Sequence, residues 1–246
     1  MLKLYRSLIN KNKVILFNYK KNSFFEGIYR LLGLTISPLL IKFNPNIISV
    51  LSLMSGLIGL ILSNLLNINL DIIIYFFFIS FVLDFTDGLV ARYQETTSFH
   101  GRFIDGLFDI LVVGFLHIVL IQYLFNSENM VFDKNFYYLT LLILPIQHLI
   151  LDRFSALARW RNEVHKSKKV KPYYRDSYLK YLTSLMIDLQ HFSIFLLLFP
   201  NLFNVNFFIE IYFIFSFLAS IITIVLYIFL SHKYLSNSSN RLDNKE

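Results

Sequence analysis

Apolar residues in this chain gather into long runs divided by short polar breaks, without the strict alternation of strands. The runs are Ile47 to Leu66, Leu70 to Leu83, Ile110 to Phe125, Phe136 to Leu151 around Pro145, Leu182 to Phe199, and Phe207 to Ser231. The second continues unbroken into Asp84 and Asp87, and the third begins near Arg102, so several approach the roughly 20 residues that a helix needs to cross a bilayer. Hydrocarbon offers no water to bond the backbone, so runs of this kind predict helices, and a stretch such as Ile72 to Leu83 does not alternate as a β-barrel strand must. Ahead of them, Phe24 to Phe43 mixes Glu26, Arg30 and Lys42 with Ile28, Leu31, Leu32 and Leu34 and stops around Pro38 and Pro45. That pattern predicts an amphipathic helix lying on the membrane surface. The segment before it is basic and broken into pieces, and lacks the single apolar core and small-residue cut site of a cleavable signal. The expected fold is an all-α integral membrane protein of six transmembrane helices preceded by an amphipathic juxtamembrane helix. It divides into a basic N-terminal region (1–43), a membrane domain (44–232) and a polar tail (233–246).

Composition supports the pattern. A chain 56% hydrophobic and only 16% charged, with a mean hydropathy of +0.56, is neither an ordinary soluble domain nor a disordered one. The absence of cysteine excludes a disulfide framework, and 27 Phe and 15 Tyr against 8 Gly and 5 Pro leave few turns. With six spans both termini share one side of the membrane, and 22 of the 23 Lys and Arg then fall on that side, Lys134 being the exception. The positive-inside rule makes that side the cytoplasm, so the +7 charge records orientation and gives no support to a nucleic-acid partner. The expected location is a cell inner or plasma membrane.

Four of the 16 acids cluster at the cytoplasmic ends of spans two and three: Asp84, Asp87, Asp105 and Asp109. Spacings of three and four put each pair on one face of its helix, and the short link lets the faces meet. Such carboxylates repel one another unless a cation neutralises them, and hard oxygen ligands select Mg²⁺, Mn²⁺ or Ca²⁺. Gly88, Ala91 and Arg92 share a stripe with Asp84, while Gly101 shares one with Asp105 and Asp109. A phosphate-bearing ligand could lie on the bare glycine and alanine positions between the metals and the guanidinium.

The run Asp84-x2-Asp87-Gly88-x2-Ala91-Arg92-x8-Gly101-x3-Asp105-x3-Asp109 resembles, at all eight fixed positions, the motif of the CDP-alcohol phosphatidyltransferase family. The resemblance implies attack of an acceptor hydroxyl on the β-phosphorus of a CDP-alcohol, with release of CMP. It implies two divalent cations, Mg²⁺ or Mn²⁺, on Asp84, Asp87, Asp105 and Asp109, with Asp109 also the base on the acceptor. It places CDP on Asp87, Gly88, Ala91, Arg92 and Gly101, and implies a homodimer among membrane lipids. CDP-diacylglycerol is the donor the resemblance implies, from its frequency in the family, and a site at the membrane edge lets a two-chain lipid keep its tails in the bilayer. The alternative is a water-soluble CDP-aminoalcohol, of the choline or ethanolamine type, acting on a lipid alcohol. Ile110 stands where the glycerol-phosphate branch commonly has Lys and the inositol-phosphate branch Arg, while Gly114 resembles the serine-using branch.

Other polar residues have plainer readings. The basic link from Arg153 to Lys180 sets topology and attracts anionic lipid, with Arg153 and Arg159 as candidates to grip a phosphate or carboxylate. His148, Asp152, Gln190 and His191 read as interhelical hydrogen-bonding groups, and His100 is not needed as a base. Tyr75 to Phe78 reads as lipid-facing. Ion transport, which uses acids near the bilayer midplane, and a scaffold without activity are the readings outside enzymology.

Overall fold

The structure is a computed structural model that describes residues 2–16, 24–65, 68–127, 130–164, 185, 188, 191–199 and 204–242. Those residues form helices and no strand: α1 (Leu2–Leu16), α2 (Phe24–Leu40), α3 (Pro45–Ser63), α4 (Leu70–Gln94), α5 (Phe99–Ser127), α6 (Lys134–Val164), α7 (residues 191–197) and α8 (Val205–Leu242). Four are long and apolar enough to cross a membrane: α3, α4, α5 from His100, and α8 as far as Phe229. The expected fourth span is helical within α6 but is not among these four, and the expected fifth falls largely outside the described residues.

α3 begins where Asn44 accepts a hydrogen bond from the Asn46 N–H at 3.0 Å and Pro45, whose missing N–H costs nothing in a first turn, presets φ. Its buried face is Ile48, Ser49, Ser52, Ser55, Gly56 and Gly59. Small side chains there let α4 approach closely on one flank and α5 on the other. Hydroxyls tie the α4 side: Ser52 Oγ donates to the Ser80 carbonyl at 2.9 Å, Ser80 Oγ returns the bond to the Ser52 carbonyl at 2.8 Å, and Ser55 Oγ donates to the Phe76 carbonyl at 2.7 Å. The partners descend along α4 as the serines ascend along α3, so the two helices are antiparallel. Gly59 meets the buried Phe77 ring, and Gly56 meets Val112 of α5.

The aromatic run Tyr75 to Phe78 is therefore lipid-facing only in part. Tyr75 is exposed while Phe77 is fully buried, because two residues on a helix stand about 200° apart around its axis. Phe78 packs on Tyr29.

Helix α2 lays Phe25, Tyr29, Gly33 and Ser37, four residues apart, along one stripe, and Gly33 comes close to Thr86 of α4. This face is buried by α4, and the helix continues two residues past Pro38. Its first turn is met by Asp188, which accepts from the Phe25 N–H at 2.9 Å. His191 of α7 packs edge-on against Tyr29 and Phe81, in keeping with an interhelical role; Gln190 lies outside the described residues. On the far side of the bundle α6 packs on α8, and His117 of α5 bonds Ser216 of α8 at 2.9 Å.

α1 was not visible in the sequence pattern. Tyr5, Leu8, Ile9 and Asn12 recur at helical spacing, and Leu8 is buried with Leu34 and Leu89, which fixes α1 across α2 and α4. Lys11 adds bonds to the Tyr93 carbonyl at 2.9 Å and to Glu95 at 2.8 Å. The bonded ammonium holds the Glu95 carboxyl below the ordinary carboxylate range, but this ion pair is exposed and contributes little.

A Cβ on Gly59 would stand 2.8 Å from the Phe77 ring, which is enclosed by the core and has nowhere to swing. Gly59→Ala should therefore destabilise the bundle by about 1–3 kcal/mol, as overpacking does. A lowered thermal midpoint in detergent checks it, and adding Phe77→Leu should recover part of the loss.

Candidate active site

The link between α4 and α5 is four residues long and shaped at both ends. Glu95 ends α4 in the left-handed region at φ 60°, with its N–H on the Ala91 carbonyl. Ser98 opens α5 as its cap, accepting from the Gly101 N–H at 2.9 Å. This tight return sets the last turns of α4 against the first turns of α5, and so brings the two acid pairs together.

Carboxylate oxygens of Asp84, Asp87 and Asp105 lie within 4.8 Å of one another. Asp109 stands against Asp84, at the edge of this group. Asp87 is buried and accepts a hydrogen bond from Ser49 of α3, so one acid is fixed from a third helix. Asp105 Oδ1 is buried with no hydrogen-bond partner among the described residues. Three carboxylates this close, one presenting a buried oxygen without a donor, fit one or more hard divalent cations, which would supply the missing positive charge.

The glycines of the motif have separate tasks. Arg92 folds back over Gly88, where a Cβ would stand 3.1 Å from Nη1 and 3.3 Å from Nη2. Gly88 thus provides the space in which the guanidinium lies beside Asp87 and Asp105. Arg92 Nε donates to Asn12 Oδ1 of α1 at 2.7 Å. Gly101 passes close to Asn46 Oδ1 at the start of α3. Next to it a recess of about 340 Å³ is lined by Lys42, Asn44, Asn46, Gln94, Thr96 and Ser98 together with Phe43 and Pro45. Ala91 is half-buried between Gly88 and Arg92.

All eight motif positions therefore converge on one end of the α3–α4–α5 group. Arg153 is exposed on α6 and makes no ion pair with the four acids among the described residues; the Arg159 side chain lies outside those described, as does the basic link from 165 to 180. His148 lies near His117 in the bundle interior, in line with an interhelical role, while nothing describes the side chain of Asp152. Two residues join the site that the motif did not mark. Ser49 shares a three-residue spacing with Ser52 and Ser55, the signal of a small-residue packing face. Asn12 is the polar member of the α1 stripe.

Removal of the hydroxyl that orients Asp87 should weaken metal binding. Ser49→Ala is expected to raise the Mn²⁺ concentration for half-saturation about 10- to 100-fold, measured by Mn²⁺ titration of the purified protein, with little change in thermal midpoint.

The family model described as CDP-alcohol phosphatidyltransferase matches residues 42–231, from just before α3 into α8. No curated protein matches the chain. The match covers most of the chain and includes every motif residue, and the chain belongs to the CDP-alcohol phosphatidyltransferase family.

Proposed function

We propose that this membrane transferase moves the phosphatidyl group of CDP-diacylglycerol to the hydroxyl of an acceptor alcohol, releasing CMP, at a site open to the cytoplasm. The observation that carries this reading is the meeting of three carboxylates with the Arg92 guanidinium over Gly88. The same end of the bundle brings a carboxylate cluster able to hold cations beside a guanidinium able to hold anions, as a pyrophosphate requires.

Asp84, Asp87 and Asp105, with Asp109 beside them, would hold two divalent cations, Mg²⁺ or Mn²⁺. When bound, these neutralise charge on the pyrophosphate and on the leaving CMP. Gly88 keeps the floor low enough for the Arg92 guanidinium to lie along α4, Ala91 adds little bulk beside it, and Arg92 binds the pyrophosphate oxygens through paired N–H donors. The recess beside Gly101 suits the nucleoside, whose base and ribose need hydrogen-bonding partners. Asp109 takes the proton from the acceptor hydroxyl as that oxygen bonds to the β-phosphorus. The bond from the β-phosphorus to the bridging oxygen breaks, and CMP departs with the electron pair. Ser49, by fixing Asp87, keeps the acid cluster from collapsing onto its own helix.

Orientation follows from charge. The ends of α4 and α5 that carry the acids also carry Arg92 and Arg102, on the side where 22 of the 23 basic residues fall in a six-span plan. CDP-diacylglycerol is favoured because the acids sit at the end of the apolar helices, within reach of a headgroup whose acyl chains remain in the bilayer.

The full-length protein, supplied with Mg²⁺ or Mn²⁺, CDP-diacylglycerol and a panel of alcohols, should form one new phospholipid together with CMP, identified by mass spectrometry. Release of no CMP from any CDP-alcohol would sink the reading. Asp109→Asn should lower CMP release by about 100- to 10,000-fold while leaving the thermal midpoint near that of the unaltered protein.

A further inference from the structure

The N-terminal helix α1 reaches the motif arginine directly. Asn12 is 1% exposed and all its polar atoms are engaged: Nδ2 donates to the Leu8 carbonyl at 3.0 Å and to the Leu89 carbonyl at 3.4 Å, and Oδ1 accepts from Arg92 Nε at 2.7 Å. Exchanging the amide oxygen and nitrogen would aim a donor at Nε–H and an acceptor at two carbonyls, so only this orientation satisfies the site. The guanidinium is planar, and a bond at Nε together with contact over Gly88 fixes both its plane and the direction of Nη1 and Nη2.

We infer that Asn12 is a positioning residue for the transferase: it holds Arg92 so that the two terminal amino groups face the phosphates of the CDP-alcohol before the donor arrives. The inference rests on the transferase reading above. An arginine side chain has four freely turning bonds, and a ligand that must order them loses affinity in doing so. Asn12 removes that loss by ordering the side chain in advance. It does so from a segment outside the family match, since residue 12 lies well before residue 42.

The docking of α1 does not depend on this amide alone. Leu8 is fully buried against Leu34 and Leu89, and Lys11 is bonded to the Tyr93 carbonyl and Glu95. Asn12→Leu, close in volume, should leave α1 in place while removing the acceptor from Arg92.

The test uses the full-length protein in mixed micelles with Mn²⁺, following CMP release as CDP-diacylglycerol is varied. Asn12→Leu should raise the donor KM about tenfold with the acceptor KM unchanged. In an Arg92→Ala background the same change should lower kcat/KM no further, because the group it acts through is gone. A merely structural role would instead lower the amount of folded protein and would add its cost in both backgrounds. An unchanged donor KM, or an equal added loss in the Arg92→Ala background, overturns the inference while the transferase reading stands. A wild-type protein that releases no CMP overturns that reading and this inference with it. Should Asn12→Leu not accumulate in folded form, Asn12→Ser, which is smaller and polar, is measured by the same criteria.

Discussion

The antiparallel contact of α3 with α4 is the constraint on which the rest of the structure depends. Inside a bilayer, lipid tails are as apolar as leucine, so two helices gain nothing from burying such side chains against each other. They gain from close approach and from hydrogen bonds that hydrocarbon cannot supply. Ser52 and Ser80 exchange bonds with each other's carbonyls, Ser55 reaches the Phe76 carbonyl, and Gly59 admits the Phe77 ring. The same row of serines ends at Ser49 on Asp87. One seam therefore sets the spacing of two helices and the rotation of α4 that aims its acids.

α4 is packed on several sides at once. It meets α3 through Phe77, Ser80 and Asp87, α2 through Thr86 and Val82, and α1 through Leu89 and Arg92. α5 is braced by α3 more than by α4, with Gly56 against Val112 and, at the far end, Ser63 bonded to Gln122. The acid pairs on α4 and α5 thus take their relative height from a third helix, while the four-residue link closes the near end.

The meeting of the acids was legible because ionisable residues in an apolar helix are few and their spacing survives any register. Asp84, Asp87, Asp105 and Asp109 could be assigned to faces from helical geometry alone. What Ser49 bonds to could not, since that depends on how α3 and α4 slide past one another, and a single chain pattern carries no such register. Phe77 was hidden for a related reason: a helix apolar on every side shows no preferred face, and burial is decided by which neighbour offers a glycine. The apolar stripe of α1 is short, only Tyr5, Leu8 and Ile9 flanked by Arg6 and Lys11, and its last member is an asparagine, so no apolar run marks the helix. In the expected fourth span, Gln147 and His148 dilute an apolar run that the structure nonetheless forms as helix.

The bond from Asn12 to Arg92 also bears on the order of events during synthesis. The two residues are 80 positions apart, and both α3 and α4 lie between them. If α3 and α4 each cross the bilayer, two crossings return the chain to its starting side, so α1 can wait at that surface until the end of α4 arrives beneath it. α1 leaves the ribosome ahead of the spans, yet its docking surface on α4 exists only after both have entered the bilayer. A helix made before these spans thus docks after them, and the bond between Asn12 and Arg92 forms only then.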